Sequence, residues 1–550
     1  MSKSARSDFN SSGPVKTDWF ERSYWDWLAG CIILFLALFS IWLITRVGIS
    51  WDEHYHLKWG AQKWENYVAL FSGESTFREF LQLRHSSVHP GLFDLGLQAL
   101  LRISPLSANE TGHFLSYAFG LIGLVAAWLA ARRIMGRMGG CLALLLLVCA
   151  PRYFGHMCFN PKDIPFAACY MASLYFLIQA IEEFPRPRIR TMLFLGMMTG
   201  FSLGVRMAGL LIPLFFGAAA MYYYLVTFPA CANRLRSLVG YAWRGLLAGF
   251  VAYLVALPFW PALWRSPWSG VSETVGEAQS FGWDGPVLYS GAFETSTQLP
   301  WHYLPKWILI TLPEWTLVLL LLGLPLALYS LLRRSSRLSD KKALQVGIVA
   351  LAGLFPVVYV LLTRPTLYDG MRHFLFVLPP LMVVAAGSVV TAAKLLSEWR
   401  CSMRWIPFLP VFLTLASCLL VVREYISLSP FYYVYFNGWV GGLPGAYNRY
   451  ETDYWGLSYR EAMEALGAYA HTDLASGLER NYSVCISGAG ALAGPFLPEG
   501  FRLTRDKANA DFYVAYTRVN QHMEGTGKVV AVVGREGVPL NVIWDQRSEK

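Results

Sequence analysis

The segment Ile49-Ser50-Trp51-Asp52-Glu53-His54-Tyr55-His56 follows directly on the first long apolar run of the chain. Two adjacent carboxylates where a chain leaves a membrane invite a chemical role. At the lip of a low-dielectric cavity, a carboxylate with a positioned neighbour can act as a general base. Successive side chains on a helix point in different directions, so Asp52 and Glu53 need not share a task. A solvated pair beside an aromatic belt is the plainer alternative. Histidines at 54 and 56, or His85 and His89 on one helix face, offer at most two metal ligands, too few to predict zinc. A divalent cation held by carboxylates and a substrate phosphate stays open, with its ligands unknown.

Two further segments carry charge in unexpected places. Pro151-Arg152-Tyr153-Phe154-Gly155-His156 and then Asn160-Pro161-Lys162-Asp163-Ile164-Pro165 form a tight turn between the third and fourth apolar runs. Pro161 suits a turn and Pro165 a first helical turn. Asp163 could be a helix cap, which leaves Lys162 without a task. Leu367-Tyr368-Asp369-Gly370-Met371-Arg372-His373 opens the tenth run, where Arg372 could simply snorkel to headgroups.

The elements that must position these residues follow from composition. The 550 residues are 55% hydrophobic and only 15% charged, against about 25% charged in ordinary soluble domains. Apolar runs fall at 26–47, 112–131, 139–157, 164–183, 191–205, 208–227, 241–261, 306–331, 343–363, 372–392 and 405–424. Each approaches the roughly 20 residues that span a bilayer, so the sequence predicts an α-helical polytopic membrane protein with about eleven transmembrane helices. The 191–227 stretch is too long for one span and is broken at Arg206, so it reads as a hairpin of two short helices. The nine cysteines include no CxxC, and Cys31, Cys141, Cys149, Cys169 and Cys418 lie in apolar runs, so neither a disulfide framework nor a zinc site is expected. Polar residues precede a full-length first run, so no cleaved signal peptide is expected.

The net charge of +10 would suit nucleic acid, but the basic residues sit in short clusters between apolar runs. These are Arg132, Arg133 and Arg137; Arg186, Arg188 and Arg190; Arg234 and Arg236; Arg333, Arg334, Arg337, Lys341 and Lys342; and Lys394, Arg400 and Arg404. With the N-terminus inside, all fall on the cytoplasmic face, and no nucleic acid partner is expected. Residues 1–25 then form a cytoplasmic tail, 26–424 a transmembrane catalytic domain, and 425–550 an extracytoplasmic region. The outer loop 48–111 carries helical periodicity at 52–70 and 91–104, read as interfacial helices. In the tail, β-like runs at Ser483–Ser487, Asp511–Tyr516, Val529–Val533 and Leu540–Trp544, with a helical stretch at 458–470, predict a small α/β domain.

This topology puts Asp52, Glu53, Arg152, Lys162, Asp163, Arg206 and Arg372 at one level, the outer helix ends. A charge inside hydrocarbon costs about 2.5–3.5 kcal/mol even on lenient scales, so such residues usually face a cavity. Cations and carboxylates at one depth suit a phosphate and an attacking hydroxyl. Aromatic residues of the outer loops (Trp260, Trp264, Trp268, Trp283, Trp301, Tyr303) fit sugar stacking and fit a headgroup-level belt equally.

At these residues the chain resembles the C-type glycosyltransferases (the GT-C superfamily), and most closely family 39, which includes protein O-mannosyltransferases and the lipid A aminoarabinose transferase. Trp51-Asp52-Glu53 is similar to the family's first-loop motif. Asn160-Pro161-Lys162-Asp163, Leu299-Pro300-Trp301-His302-Tyr303, Tyr368-Asp369-Gly370-Met371-Arg372-His373, Gly441-Gly442-Leu443-Pro444-Gly445-Ala446 and Asp453-Tyr454-Trp455-Gly456 look like segments of its bacterial members. His89-Pro90-Gly91 departs from the paired prolines common at that point, and the last 90 residues match no named relative. The resemblance implies a polyprenyl-phosphate sugar donor used on the outer face of a plasma membrane, a lipid, glycan or protein acceptor, and inversion at the anomeric carbon. It implies Asp52 as the base, Glu53 as orienting acceptor or loop, and Asp163 as positioning substrate or an ion. Lys162 and Arg372, with Arg152 and Arg206, would bind the donor phosphate. His54, Tyr55, Asn160, Tyr368, Asp369 and His373 are candidates to line the substrate site.

Two other readings compete. A secondary transporter or lipid flippase would show inverted repeats and midplane polar sites, and neither is evident. An assembly or sensor protein would leave the charges at the outer helix ends unexplained.

Overall fold

In lipid, an apolar run can satisfy its backbone only as helix or closed barrel. The computed structural model describes residues 17–82, 89–227, 234–279, 283–332, 339–398, 403, 405–473 and 482–547, and in these every expected apolar run is helical. Eight of the described helices are long and apolar enough to cross a membrane, and the chain is a multi-pass membrane protein. One of the eight, Ala108–Val148, holds the run at 112–131 and the first part of that at 139–157, which continues as Pro151–His156. It doubles back at Gly136, whose φ of 86° and ψ of −175° leave helical space. Gly140 thereby lies against Trp128 and Arg132, and Tyr153 Oη donates to the Gly120 carbonyl at 3.1 Å. Glycine takes this φ without a Cβ penalty. The run at 306–331 is broken differently, into Tyr303–Thr311 and Glu314–Leu332 around Pro313.

The 191–227 stretch does reverse. Ile189–Leu203 packs parallel to Arg234–Ala256: Gly196 sits on Ala248 and Val251, Gly200 on Ala252 and Val255, and Gly204 on Phe259. Small residues allow that close approach between apolar helices. Gly209 still touches Leu203, whereas Tyr223, on Leu211–Thr227, stacks edge-on with Phe184 near the start of Arg234–Ala256, where Phe184 also meets Tyr241. The intervening helix therefore runs back, and the turn falls at Arg206.

Arg132, Arg133 and Lys341, from the basic clusters between the apolar runs, gather at the end of the bundle away from Asp52. Arg132 pairs with Asp26 at 2.8 Å, Arg133 with Glu182 at 2.7 Å, and Lys341 Nζ donates to the Glu182 carbonyl at 2.9 Å. His85, Arg333, Arg334, Arg337, Arg400, Arg404 and the side chains of Arg234 and Arg236 lie outside the described residues.

The two helices expected after the first run are Trp51–Ser72 and Leu92–Leu101. They are fastened to each other rather than lying apart on a surface. Asp94 accepts from His56 Nδ1 at 2.6 Å and from Lys63, all three side chains buried. His56 and Lys63 are seven residues apart, two helical turns, and so share a face.

Residues 262–305 contain a short antiparallel hairpin, β1 (Pro286–Tyr289) and β2 (Ala292–Thr295), which periodicity alone does not suggest. The tail forms the expected small α/β unit. Helix Tyr459–Asp473 precedes strands β3 (Tyr482–Ile486), β4 (Phe501–Thr504), β5 (Phe512–Tyr516), β6 (Lys528–Arg535) and β7 (Val538–Asp545). Their order is β4-β3-β5-β7-β6, with β3 parallel to both neighbours and β7 antiparallel to both of its own. β4 is the strand the sequence did not reveal: four residues, Phe-Arg-Leu-Thr, with no run of apolar alternation long enough to stand out. One buried cluster runs without a break from Phe20 in the bundle to Ile543 in the sheet.

Candidate active site

Asp52 stands in the first turn of Trp51–Ser72. The start of that helix is tied down on two sides. Ser50 Oγ donates to the Phe159 carbonyl at 3.0 Å, and the Ser50 N–H donates to Glu53 Oε2 at 2.7 Å. The other Glu53 oxygen lies 2.9 Å from His113 Nε2, and His113 Nδ1 is 3.1 Å from the Ile44 carbonyl. Glu53 is therefore an anchor of the loop, buried behind the helix start. Asp52 points the other way, with its side chain 22% exposed, and accepts from Arg372 Nη1 at 2.5 Å.

The second carboxylate is placed by its own turn. Asn160 Oδ1 accepts the N–H groups of Lys162 (3.1 Å) and Asp163 (2.7 Å), and Asn160 Nδ2 donates to Asp163 Oδ2 at 3.0 Å. This is an Asx-type turn feeding a helix whose positive end favours the Asp163 charge. Asn160 is fully buried with both ends of its amide used, so the structure gives it to the turn rather than to a substrate surface. Asp163 Oδ1 pairs with Arg206, and Asp163 Oδ2 is 4.0 Å from Arg372 Nη1.

Arg372 is aimed by the bend before it. Asp369 (φ 54°) and Gly370 (φ 69°) are both left-handed, and the Gly370 N–H donates to Tyr303 Oη at 3.1 Å. The bend brings Arg372 Nε to 3.1 Å from Asp369 Oδ2 and lays the guanidinium over the rings of Tyr368 (5.0 Å) and Trp455 (4.8 Å). Such faces attract a cation without neutralising it. Trp455 Nε1 donates to Asp369 at 3.2 Å, and Arg518 Nη2 lies 3.1 Å from the other Asp369 oxygen.

Four cations (Lys162, Arg206, Arg372, Arg518) thus meet three carboxylates (Asp52, Asp163, Asp369). Burial raises the Asp52 pKa, but Arg372, His56 and Lys162 together outweigh it and hold the carboxyl below its usual range. Burial, with Arg206 beside it, pulls the Lys162 ammonium down to about 8. Burial lifts Glu451, beside Arg518 and Asp369, to about 8. Burial thus favours the neutral form of Glu451, and the four cations outnumber the three carboxylates of the cluster. Asp52 and Arg206, 22% and 23% exposed, mark its open side.

The remaining expected residues divide between the cluster and other surroundings. Arg152 does not join the cluster. It is buried between Trp307 and Phe436, 5.1 Å from each ring, with Nη2 donating to the Tyr435 carbonyl at 3.4 Å. Tyr55 is exposed in a row of rings with Trp51 and Trp59, and His54 lies against it. Tyr368 and His373 stack edge-on at 4.8 Å beside Arg372. Among the described residues no three His, Cys, Asp or Glu side chains converge as a metal site. Asp52, Asp163 and Asp369 each face a guanidinium, so this donor set does not fit a divalent ion.

Residues 89–261 match the protein-family model described as dolichyl-phosphate-mannose-protein mannosyltransferase. The resemblance to the GT-C glycosyltransferases holds. No curated protein matches the chain. Among solved structures the chain is similar to ArnT from Cupriavidus metallidurans, apo and bound to undecaprenyl phosphate, at 14% identity over 95% of this chain and 98% of that one, with a TM-score of 0.48. It is also similar to the oligosaccharyltransferase AglB from Archaeoglobus fulgidus in complex with an inhibitory peptide and a dolichol-phosphate, at 11% identity over 90% of this chain and 70% of that one, with a TM-score of 0.46. Likenesses this distant say nothing about the substrate of the present chain.

Proposed function

We propose that this GT-C-like chain transfers a sugar from a polyprenyl-phosphate donor to an acceptor hydroxyl, with inversion, on the extracytoplasmic face of a plasma membrane. One observation carries the reading: Asp52 and Arg372, 320 residues apart, meet at 2.5 Å in a cluster where cations outnumber carboxylates. The acceptor oxygen attacks the anomeric carbon, its proton passes to Asp52, and the bond from that carbon to phosphate oxygen breaks with its electron pair leaving on the phosphate. Arg372, Arg206 and Lys162 hold that charge, as preorganised cations do in a water-poor site. In the free protein Asp52 occupies Arg372. A donor phosphate competes for the guanidinium and releases the carboxylate, which becomes a stronger base as it loses its cation. An apolar groove of about 280 Å³, lined by Leu203, Leu210, Phe216, Ala252 and Trp260, suits an isoprenoid chain, and Leu203 and Leu210 flank Arg206 along the chain. In this reading the basic end of the bundle is cytoplasmic, and residues 26–424 are the catalytic domain.

Mass spectrometry of lipids, glycans and envelope proteins from a deletion strain should reveal one glycoform missing relative to wild type. Identical profiles would count against transfer and for a transporter.

Lys162 gives the site a pH dependence of defined sign. Its charged form, present below about 8, is the one that binds phosphate. Donor affinity should therefore fall as pH rises through that value, and Lys162→Arg, which stays charged, should flatten the fall. Titrations between pH 7 and 9 test this, and an equal slope in Lys162→Arg would remove Lys162 from the phosphate site.

A further inference from the structure

The chain after β5 leaves the sheet and returns to it within a few residues. Val519 and Asn520 both adopt left-handed backbone, with φ of 53° and 57°. For a β-branched valine this is an outlier that the surrounding structure must enforce. The β5–β7 register ends at Tyr516↔Asn541, so strand pairing does not require it. The reversal positions His522 and Arg518. His522 returns to the sheet, where its carbonyl accepts from Trp544 Nε1 at 3.2 Å and its Nε2 lies 2.7 Å from Tyr447 Oη. Arg518 is thrown onto the active end of the bundle. Its Nη1 donates to the Tyr454 carbonyl at 2.9 Å, its guanidinium covers Trp283 at 5.6 Å, and its Nη2 lies 3.1 Å from Asp369 Oδ1.

Asp369 thereby spans two arginines. Oδ1 faces Arg518, and Oδ2 faces Arg372 Nε at 3.1 Å. A carboxylate with both oxygens free closes on a guanidinium through two parallel contacts. Both contacts are ion pairs rather than hydrogen bonds, and Oδ2 also accepts from Trp455 Nε1 at 3.2 Å; with Oδ1 held by the charge of Arg518, Asp369 presents Arg372 one oxygen only.

We propose that Arg518 is a positioning residue: it keeps Asp369 from closing on Arg372 and so leaves the Arg372 guanidinium open to the phosphate of a lipid-linked donor. The C-terminal domain, beyond the matched 89–261 segment, then completes the donor site. This rests on the donor reading above.

The test is direct binding of undecaprenyl phosphate to the purified full-length protein in lipid nanodiscs, with thermal unfolding run in parallel as a check of folding. Arg518→Gln should weaken binding about tenfold, the scale of coupling through one charged contact. Arg518→Lys, which keeps a charge on Oδ1, should restore part of it. In an Asp369→Asn background, Arg518→Gln should change nothing further, because the group it acts through has lost its charge. A purely structural role would instead weaken both backgrounds alike. Additive losses, or wild-type affinity in folded Arg518→Gln, would sink this inference alone. Absence of binding by the wild-type protein would sink the donor reading and this inference with it.

Discussion

Asp52→Asn is expected to lower sugar transfer by about 10²–10⁴-fold, the usual worth of a positioned general base. The substitution keeps the side chain's size and removes its capacity to take the acceptor proton. Folding should persist, because Arg372 keeps Asp369 at 3.1 Å and Asp52 lies on the open side of the cluster. The neighbouring residue supplies the contrast. Glu53 accepts the Ser50 N–H and pairs with His113, so Glu53→Gln should lower thermal stability and protein yield first, leaving kcat of the surviving protein closer to wild type. Steady-state rates at saturating donor, measured beside unfolding curves for both variants, separate the two roles. Wild-type turnover in Asp52→Asn would end its assignment as the base.

Much of this arrangement was legible from one physical fact: charges are costly next to hydrocarbon, so those retained at helix ends stand out. Asp52, Asp163, Arg206 and Arg372 announced themselves this way, and the structure brings all four together. Which of two adjacent carboxylates faces the cluster was not legible, because it depends on partners brought in from far along the chain. His113 claims Glu53 and Arg372 claims Asp52. Arg152 was as conspicuous in sequence as Arg206, yet it turns into an aromatic box at Trp307 and Phe436. The type of a residue does not say to which side of its helix the neighbouring helices are packed. The buried Asp94–His56–Lys63 array did leave a sequence trace, the one charged residue within the Leu92–Leu101 helix. Arg518 left none, since an arginine after a strand in a polar tail is ordinary until the sheet is docked on the bundle.

Arg372→Ala should weaken donor binding by about ten- to a hundredfold, since hydrogen bonds to charged groups contribute roughly 1.5–3 kcal/mol each. The loss in kcat/KM should be larger still, because the same guanidinium serves the ground state and the departing phosphate. A second consequence distinguishes this variant from other cation losses. Asp163 would keep Arg206 and Asp369 would keep Arg518, but Asp52 would lose its ion-pair partner. Arg372 is the foremost of the groups holding the Asp52 pKa down, so without it that pKa should rise. The base works only when deprotonated, so the acid limb of the kcat/KM profile should move to higher pH. Arg206→Ala should weaken donor binding without that movement. Arg372→Lys should recover only part of the affinity: a single ammonium cannot reach Asp52 and Asp369 as Nη1 and Nε now do, nor present a planar fork to phosphate. The measurement is donor affinity with kcat/KM from about pH 3 to 9 for the three variants, so that the wild-type acid limb falls inside the range. Donor affinity indifferent to both Arg372 substitutions would move the phosphate elsewhere. An unshifted acid limb in Arg372→Ala would break the link between the phosphate-binding cation and the strength of the base.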